Sequence, residues 1–195
     1  MCIRDRDKAV LFEKYKKLSP YPEAGISADT YFITDSMNEE RLIRFLIKQS
    51  EAKYEKLAKK YKGTYDTKEW QRILTIASII QKEAANSKEM PIIASVIYNR
   101  LAKNMKLQMD GTLNYGKYSH TKVTAERIRN DTSSFNTYKN YGLPDSPIGA
   151  VSQEAIDAAI NPAKTDYLYF VKNSSGTHTF TSDFNAHRKA IKSGN

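Results

Sequence analysis

The segment from Asp66 to Glu83 places the tightest constraint on the fold. D-T-K-E at residues 66 to 69 is a capping pattern, in which an acceptor side chain and a glutamate three residues later satisfy the free N–H groups that open a helix. The helix ends T-I-A-S-I-I-Q-K-E, and at 3.6 residues per turn Ile76, Ile79 and Ile80 share a face with Glu83. One carboxyl group therefore points where a core belongs. Burial disfavours its ionised form, and the partial negative charge at a helix C-terminus disfavours it further, so both effects raise the pKa expected for Glu83. A carboxyl group kept protonated near neutral pH is what a general acid needs. The competing assignment is a helix-end glutamate turned to water beside Lys82, the ordinary fate of a single Glu.

Flanking patterns place this helix in a larger helical part. A weakly helical, Lys-rich segment from Lys8 to Leu18 is closed by Pro20 and Pro22. S-M-N-E at 36 to 39 repeats the capping pattern before Leu42, Leu46, Tyr54, Leu57 and Tyr61, which predict an amphipathic helix over 37 to 62 stopped by Gly63. Ser87, with Pro91 tolerated in the first turn, starts a third helix carrying Ile92, Ile93, Val96, Ile97 and Leu101. The helices over 37–62, 66–83 and from Ser87 are expected to pack together. Residues 107 to 116 are too irregular for a long helix and too Gly-broken for a central strand, so they read as a shaped loop. Thr121 to Asn130 holds a short helix, and Ser152 caps another over Ala155, Ile156 and Ala159. Tyr167 to Val171 and Thr177 to Phe180, separated by N-S-S-G, read as a hairpin, and a last helix begins near Asp183. The expected fold is α+β: an N-terminal helical part carrying Glu83, then loops, a small antiparallel hairpin and a closing C-terminal helix.

Bulk properties exclude more than they assign. The 195 residues suffice for a hydrophobic core, and 40% hydrophobic content argues against general disorder. A net charge of +9, spread along the chain, suits an anionic partner such as nucleic acid, lipid or a carboxylate-bearing wall polymer. Lys and Arg form no stripe and no nucleic-acid reader motif appears, so nucleic acid is not the expected partner. Cys2, the single cysteine, excludes an intrachain disulfide or a thiolate zinc cluster. No apolar run reaches the roughly 20 residues of a membrane span, so the chain reads as soluble. His120, His178 and His187 lack metal-ligand spacing, no glycine-rich phosphate loop occurs, and the strained G-x-S-x-G turn of serine hydrolases is absent. Neither metal nor cofactor is expected.

What remains is a carboxyl acid among Asn, Gln, Asp and Tyr side chains, which hydrogen-bond hydroxyls and acetamides and stack on sugar faces. Carbohydrate is the natural substrate class. Taken singly, Asn99 caps or solvates a helix, Gln108 fixes a loop, and Tyr115 and Tyr138 are half-buried packing.

Taken together these residues carry a resemblance. S-I-I-Q-K-E ending at Glu83, S-V-I-Y-N-R-L at 95 to 101, L-Q-M-D-G-T-L-N-Y-G at 107 to 116, F-N-T-Y at 135 to 138 and G-L-P-D-S-P-I at 142 to 148 are similar, in order and spacing, to endolytic murein transglycosylases of the MltG (YceG-like) type. N-P-A-K-T-D-Y-L-Y-F-V at 161 to 171 and H-T-F at 178 to 180 continue the likeness, which covers roughly residues 22 to 190. It implies that Glu83 is the catalytic acid/base and that Asn99, Gln108, Asp110, Tyr115, Asn136 and Tyr138 line a glycan cleft. It implies cleavage of the β-1,4 bond between N-acetylmuramic acid and N-acetylglucosamine in nascent strands, leaving 1,6-anhydro ends and terminating elongation. The implied partners are peptidoglycan strands and the synthases that make them, at the outer face of the cytoplasmic membrane. Met109 and Gly111 depart from the Ser/Thr and Pro expected around Asp110, Phe135 from Tyr, and Asp145 from Pro. The domain division expected is 1–21, an opening segment standing for the remnant of a LysM-like module or a non-native start, and 22–195, the catalytic domain. The family's membrane anchor and most of that module are expected to lie outside the chain. Two alternatives stand beside the lyase: a muramidase using Asp110 as second carboxylate, and a non-catalytic peptidoglycan-binding module.

Overall fold

Thr67–Glu83 forms helix α3, and the body of the protein is arranged around it. The computed structural model describes residues 5–34, 37–119 and 121–193. Cys2, Ser36 and His120 lie outside them. Before α3 come α1 (Asp5–Leu18) and α2 (Glu39–Lys62). After it come α4 (Met90–Ala102), α5 (Asp110–Leu113), a 3-10 turn (Gly116–Tyr118), α6 (Ala125–Asn130) and α7 (Gln153–Ile160). Strands β1 (Tyr169–Lys172) and β2 (His178–Thr181) and helix α8 (Phe184–Ser193) close the chain. The α+β reading of the sequence is the observed class: helices, one two-stranded antiparallel sheet and a C-terminal helix.

Local chemistry sets most boundaries. Asp66 Oδ1 accepts the Glu69 N–H at 2.8 Å, so α3 begins where the capping pattern puts it. Asp66→Ala is expected to destabilise the fold by about 1 kcal/mol, lowering the thermal midpoint by about 3 °C. A calorimetric midpoint equal to wild type contradicts this. Ser152 caps α7 through the Ala155 N–H, and Asp183 accepts the N–H groups of Asn185 and Ala186 to start α8. At α2 the capping side chain is Asn38, which accepts from Arg41 N. Helix α4 starts at Met90, three residues after Ser87. The Asn86 side chain takes the N–H groups of Lys88 and Glu89 and holds that stretch as a turn. The expected loop at 107–116 also contains the single-turn helix α5, too short to leave a periodic pattern.

Packing corrects one expectation. Helix α3 packs mainly on α7 and α4, which also touch each other, so α7 is the third member of the central cluster in place of α2. Ala155, Ala158 and Ala159 are buried on α7, and such small side chains let helix backbones approach closely. Helix α2, rich in lysine, lies instead against α1, where Tyr15, Ile43 and Ile47 make a satellite cluster. It reaches the main core through Tyr54, whose ring lies 5.8 Å from that of Trp70. Ile76, Ile79 and Ile80 are fully buried, as the stripe requires. The hairpin pairs Tyr169 with Thr181 and Lys172 with His178. In antiparallel pairing Phe170, Lys172, His178 and Phe180 therefore share one face. Phe170 and Phe180 rest on the core, and the opposite face meets α8.

Candidate active site

Glu83 is the last residue of α3, and its Oε1 accepts the Gly111 N–H at 2.8 Å. Burial pushes the carboxyl above its usual range, the neighbouring Asp110 charge adds to this, and the Gly111 N–H and His178 pull the other way. The approach at Gly111 is close. A Cβ there would lie 2.7 Å from Glu83 Oε1 and 2.9 Å from Lys82 Cβ, so the contact requires glycine.

The loop holding Gly111 is latched to Thr137. Thr137 O accepts the Gln108 N–H at 3.0 Å, and its Oγ1 accepts the Met109 N–H at 3.1 Å and meets Thr112 Oγ1 at 2.9 Å. Gln108 takes a left-handed backbone (φ 51°), unusual for a side chain other than Gly, Asn or Asp, and it stands exposed in the cleft. Asp110 accepts the Tyr138 hydroxyl at 2.5 Å. Burial and the Asp110 charge together raise the Tyr138 pKa, so the phenol stays protonated as a donor.

The cleft in front of Glu83 measures about 480 Å³. The loop over 107–110 and Tyr138 form one side, and β1, His178 and α8 form the other. His178 is fixed by Glu89, whose Oε2 meets His178 Nδ1 at 2.8 Å and whose Oε1 accepts the His178 N–H at 2.7 Å. Glu89 also accepts the Ala85 N–H. Its burial opposes ionisation, but these three contacts together hold the carboxyl below its usual range. At the α8 end, His187 stacks on Tyr169 at 5.1 Å, and burial lowers its pKa. Arg100 of α4 completes the floor, with three hydrogen bonds to backbone carbonyls.

Glu83, Gln108, Asp110 and Tyr138, all expected at the site, meet at this cleft. Asn99, Tyr115 and Asn136 do not line it. Asn99 Nδ2 donates to Thr165 O and Tyr167 O, both at 2.9 Å, and so ties the strand approach to α4. Tyr115 packs against Phe135 with its ring tilted by 34° and donates to Glu23. Asn136, fully buried, donates to Ile128 O and Asp131 O. Arg100, His178 and Glu89 were not among the sequence candidates. Arg100 and His178 lie inside the quoted runs Y-N-R-L and H-T-F, but a hydrogen bond between residues 89 apart leaves no local signal.

A slightly larger concavity, about 540 Å³, lies beside Arg127 and Asp131 on the α6 side. Its Asp131 carboxyl, despite some burial, is held below its usual range by hydrogen bonds from Ser133, so size does not make it the site. No group of three His, Cys, Asp or Glu side chains placed to hold a metal occurs among the described residues.

A family model described as the YceG-like family matches residues 4–193. The chain is 38% identical over 154 residues to the endolytic murein transglycosylase of Bacillus subtilis (strain 168), a match covering 77% of this chain and 41% of that protein. It is 38% identical over 145 residues to the endolytic murein transglycosylase of Streptococcus pneumoniae (strain D39), covering 71% and 26% respectively. The crystal structure of a YceG-like protein from Listeria monocytogenes matches with a TM-score of 0.75 at 34% identity, over 94% of this chain and 64% of that one. The chain thus spans less than half the length of these two curated relatives.

Proposed function

This chain belongs to the YceG-like family, and on that premise we propose that it is an endolytic lytic transglycosylase of murein, with residues 22–195 as the catalytic unit. The observation that carries this reading is Glu83, a carboxyl group of raised pKa at the end of a buried helix, facing a cleft lined by Gln108, Asp110 and Tyr138. Glu83 protonates the oxygen between N-acetylmuramic acid and N-acetylglucosamine as the anomeric C–O bond breaks and positive charge grows at carbon. The resulting carboxylate then takes the proton of the muramyl C6 hydroxyl, whose oxygen closes on the anomeric carbon. That step restores the acid and leaves a 1,6-anhydro end without consuming water. Gln108 supplies amide donor and acceptor groups, and Tyr138, whose proton goes to Asp110, supplies an acceptor oxygen and a ring face to hydroxyl and acetamido groups along the strand. Asn99, Tyr115 and Asn136 act behind the cleft, holding its walls. The substrate is nascent glycan at the outer face of the cytoplasmic membrane, beside the synthases that extend it. No helix among the described residues is long and apolar enough to cross a membrane.

One observation favours a second reading: Asp110 shares the cleft, where it serves as base toward a water in a two-carboxylate hydrolase. Mass spectrometry of purified strands after digestion separates the two, since lyase ends are one water lighter than reducing ends. Anhydro ends support the lyase. Reducing ends overturn it.

Gly111 gives this reading a local test. Gly111→Ala forces Glu83 away from the Gly111 N–H, and kcat for new chain ends is expected to fall about tenfold with KM little changed. Wild-type kcat in a folded Gly111→Ala protein contradicts that role.

A further inference from the structure

Arg100 is 8% exposed, yet every partner it has among the described residues is neutral. Its Nε donates to Leu168 O at 2.6 Å, its Nη1 donates to Lys106 O at 3.1 Å and Leu107 O at 2.6 Å, and its guanidinium carbon lies 5.2 Å from the Tyr169 ring centre. Carbonyl oxygens fix the plane of a guanidinium without cancelling its charge, and a buried charge ordinarily has a partner of opposite sign. No described carboxylate forms an ion pair with it. Nη2 makes no hydrogen bond among the described residues, and it is not one of the side-chain nitrogens sealed from solvent. Arg100 is itself one of the residues lining the cleft. Arg127 differs, because its Nε and Nη2 are both sealed and unpaired, so no ligand reaches them without rearrangement.

A cation held in place on three sides and open on the fourth is built for an anion. Only the Nη2 edge is free, which suits one planar carboxylate better than a phosphate cradled by several donors. Strand β1 gives the position. Tyr169 lies under Arg100, and Lys172, three residues on, pairs with His178, which lines the cleft together with Glu83. Three residues of strand span roughly 10 Å. We propose that Arg100 is a specificity residue of the cleft, whose Nη2 edge takes a carboxylate carried by the glycan strand at a position displaced along β1 from the bond that Glu83 cleaves. This rests on the reading that the cleft holds murein. Two sources share the chemistry: the lactyl carboxylate of a peptide-free muramic acid, and a carboxylate of a stem peptide.

The test varies the ligand as well as the protein. Four probes are purified glycan strands without peptides, the same strands with lactyl carboxyls reduced to alcohols, strands with intact stem peptides, and peptide strands with their carboxyls amidated. Binding is measured by calorimetry to Glu83→Gln protein, and cleavage is measured with wild type. At least one carboxylate strand is expected to bind about tenfold more tightly than its uncharged counterpart, and the pair showing the difference identifies the source. Adding Arg100→Gln is expected to erase that preference, and Arg100→Lys to restore part of it. Equal binding within both pairs overturns the proposal, even if Arg100→Gln does not fold. So does a preference that survives in a folded Arg100→Gln protein. Cleavage without preference removes this inference and leaves the lyase reading standing. Preference without cleavage removes the lyase reading and leaves the carboxylate site.

Discussion

Glu83→Gln is expected to reduce the production of new chain ends at least about a thousandfold while the protein still binds glycan strands. Gln keeps the size of the side chain but carries no proton to give at the leaving oxygen. A second effect follows from burial. The folded-state pKa of Glu83 is raised above its unfolded value, so its contribution to stability is whole in acid and is lost as pH rises through the folded value. Gln has no such loss. The thermal midpoint of Glu83→Gln should therefore match wild type in acid, exceed it as pH rises through the folded value, and keep a constant lead above that value. The same raised pKa places the alkaline fall of the wild-type rate above the usual glutamate range, because the first step needs the protonated form. Undiminished cleavage by Glu83→Gln, or a midpoint difference that does not vary with pH, removes Glu83 from the proposed role.

Glu89→Ala is expected to cost about 3 kcal/mol, lowering the thermal midpoint by about 10 °C and abolishing activity along with it. The loss leaves three donors without an acceptor: the N–H groups of Ala85 and His178 and the His178 ring. These contacts clasp β2 to the corner between α3 and α4, so the cleft loses one wall. The Glu89 pKa is lowered in the fold, so its contribution is present above the ordinary glutamate value and is lost as pH falls through the folded value. Wild type and Glu89→Ala should accordingly converge in acid. Denaturation curves at pH 7 and below pH 4 measure both claims, and equal midpoints at pH 7 contradict the first.

What could be read from the sequence was what depends on neighbouring residues. The Asp66 and Ser152 caps act across three residues, and the stripe of Ile76, Ile79 and Ile80 repeats within two turns, so helix positions and the place of Glu83 were legible. Helix α7 was foreseen as an element but not as the main support of α3, because alanines give a weak hydrophobic signal even where they allow the closest packing. Asn99 and Asn136 show why the site was only partly legible. An amide that suits a sugar hydroxyl suits a backbone carbonyl equally well, and in the fold both bind carbonyls. Arg100 and Glu89 were invisible as site residues for the opposite reason. Their partners at Leu168 and His178 stand 68 and 89 residues away, a separation that only tertiary structure closes.

The hairpin wall is fastened by polar clasps from Glu89, Asn99 and Arg100 and by the half-buried Phe170 and Phe180, while α3 is sealed by fully buried apolar packing. Such a wall can breathe without melting the body. Amide protons of β1 and β2 should then exchange with deuterium through local opening, while those of Ile76 to Ile80 wait for global unfolding. On the proposed reading, this opening admits a glycan strand sideways at an interior linkage rather than threading it from a free tip.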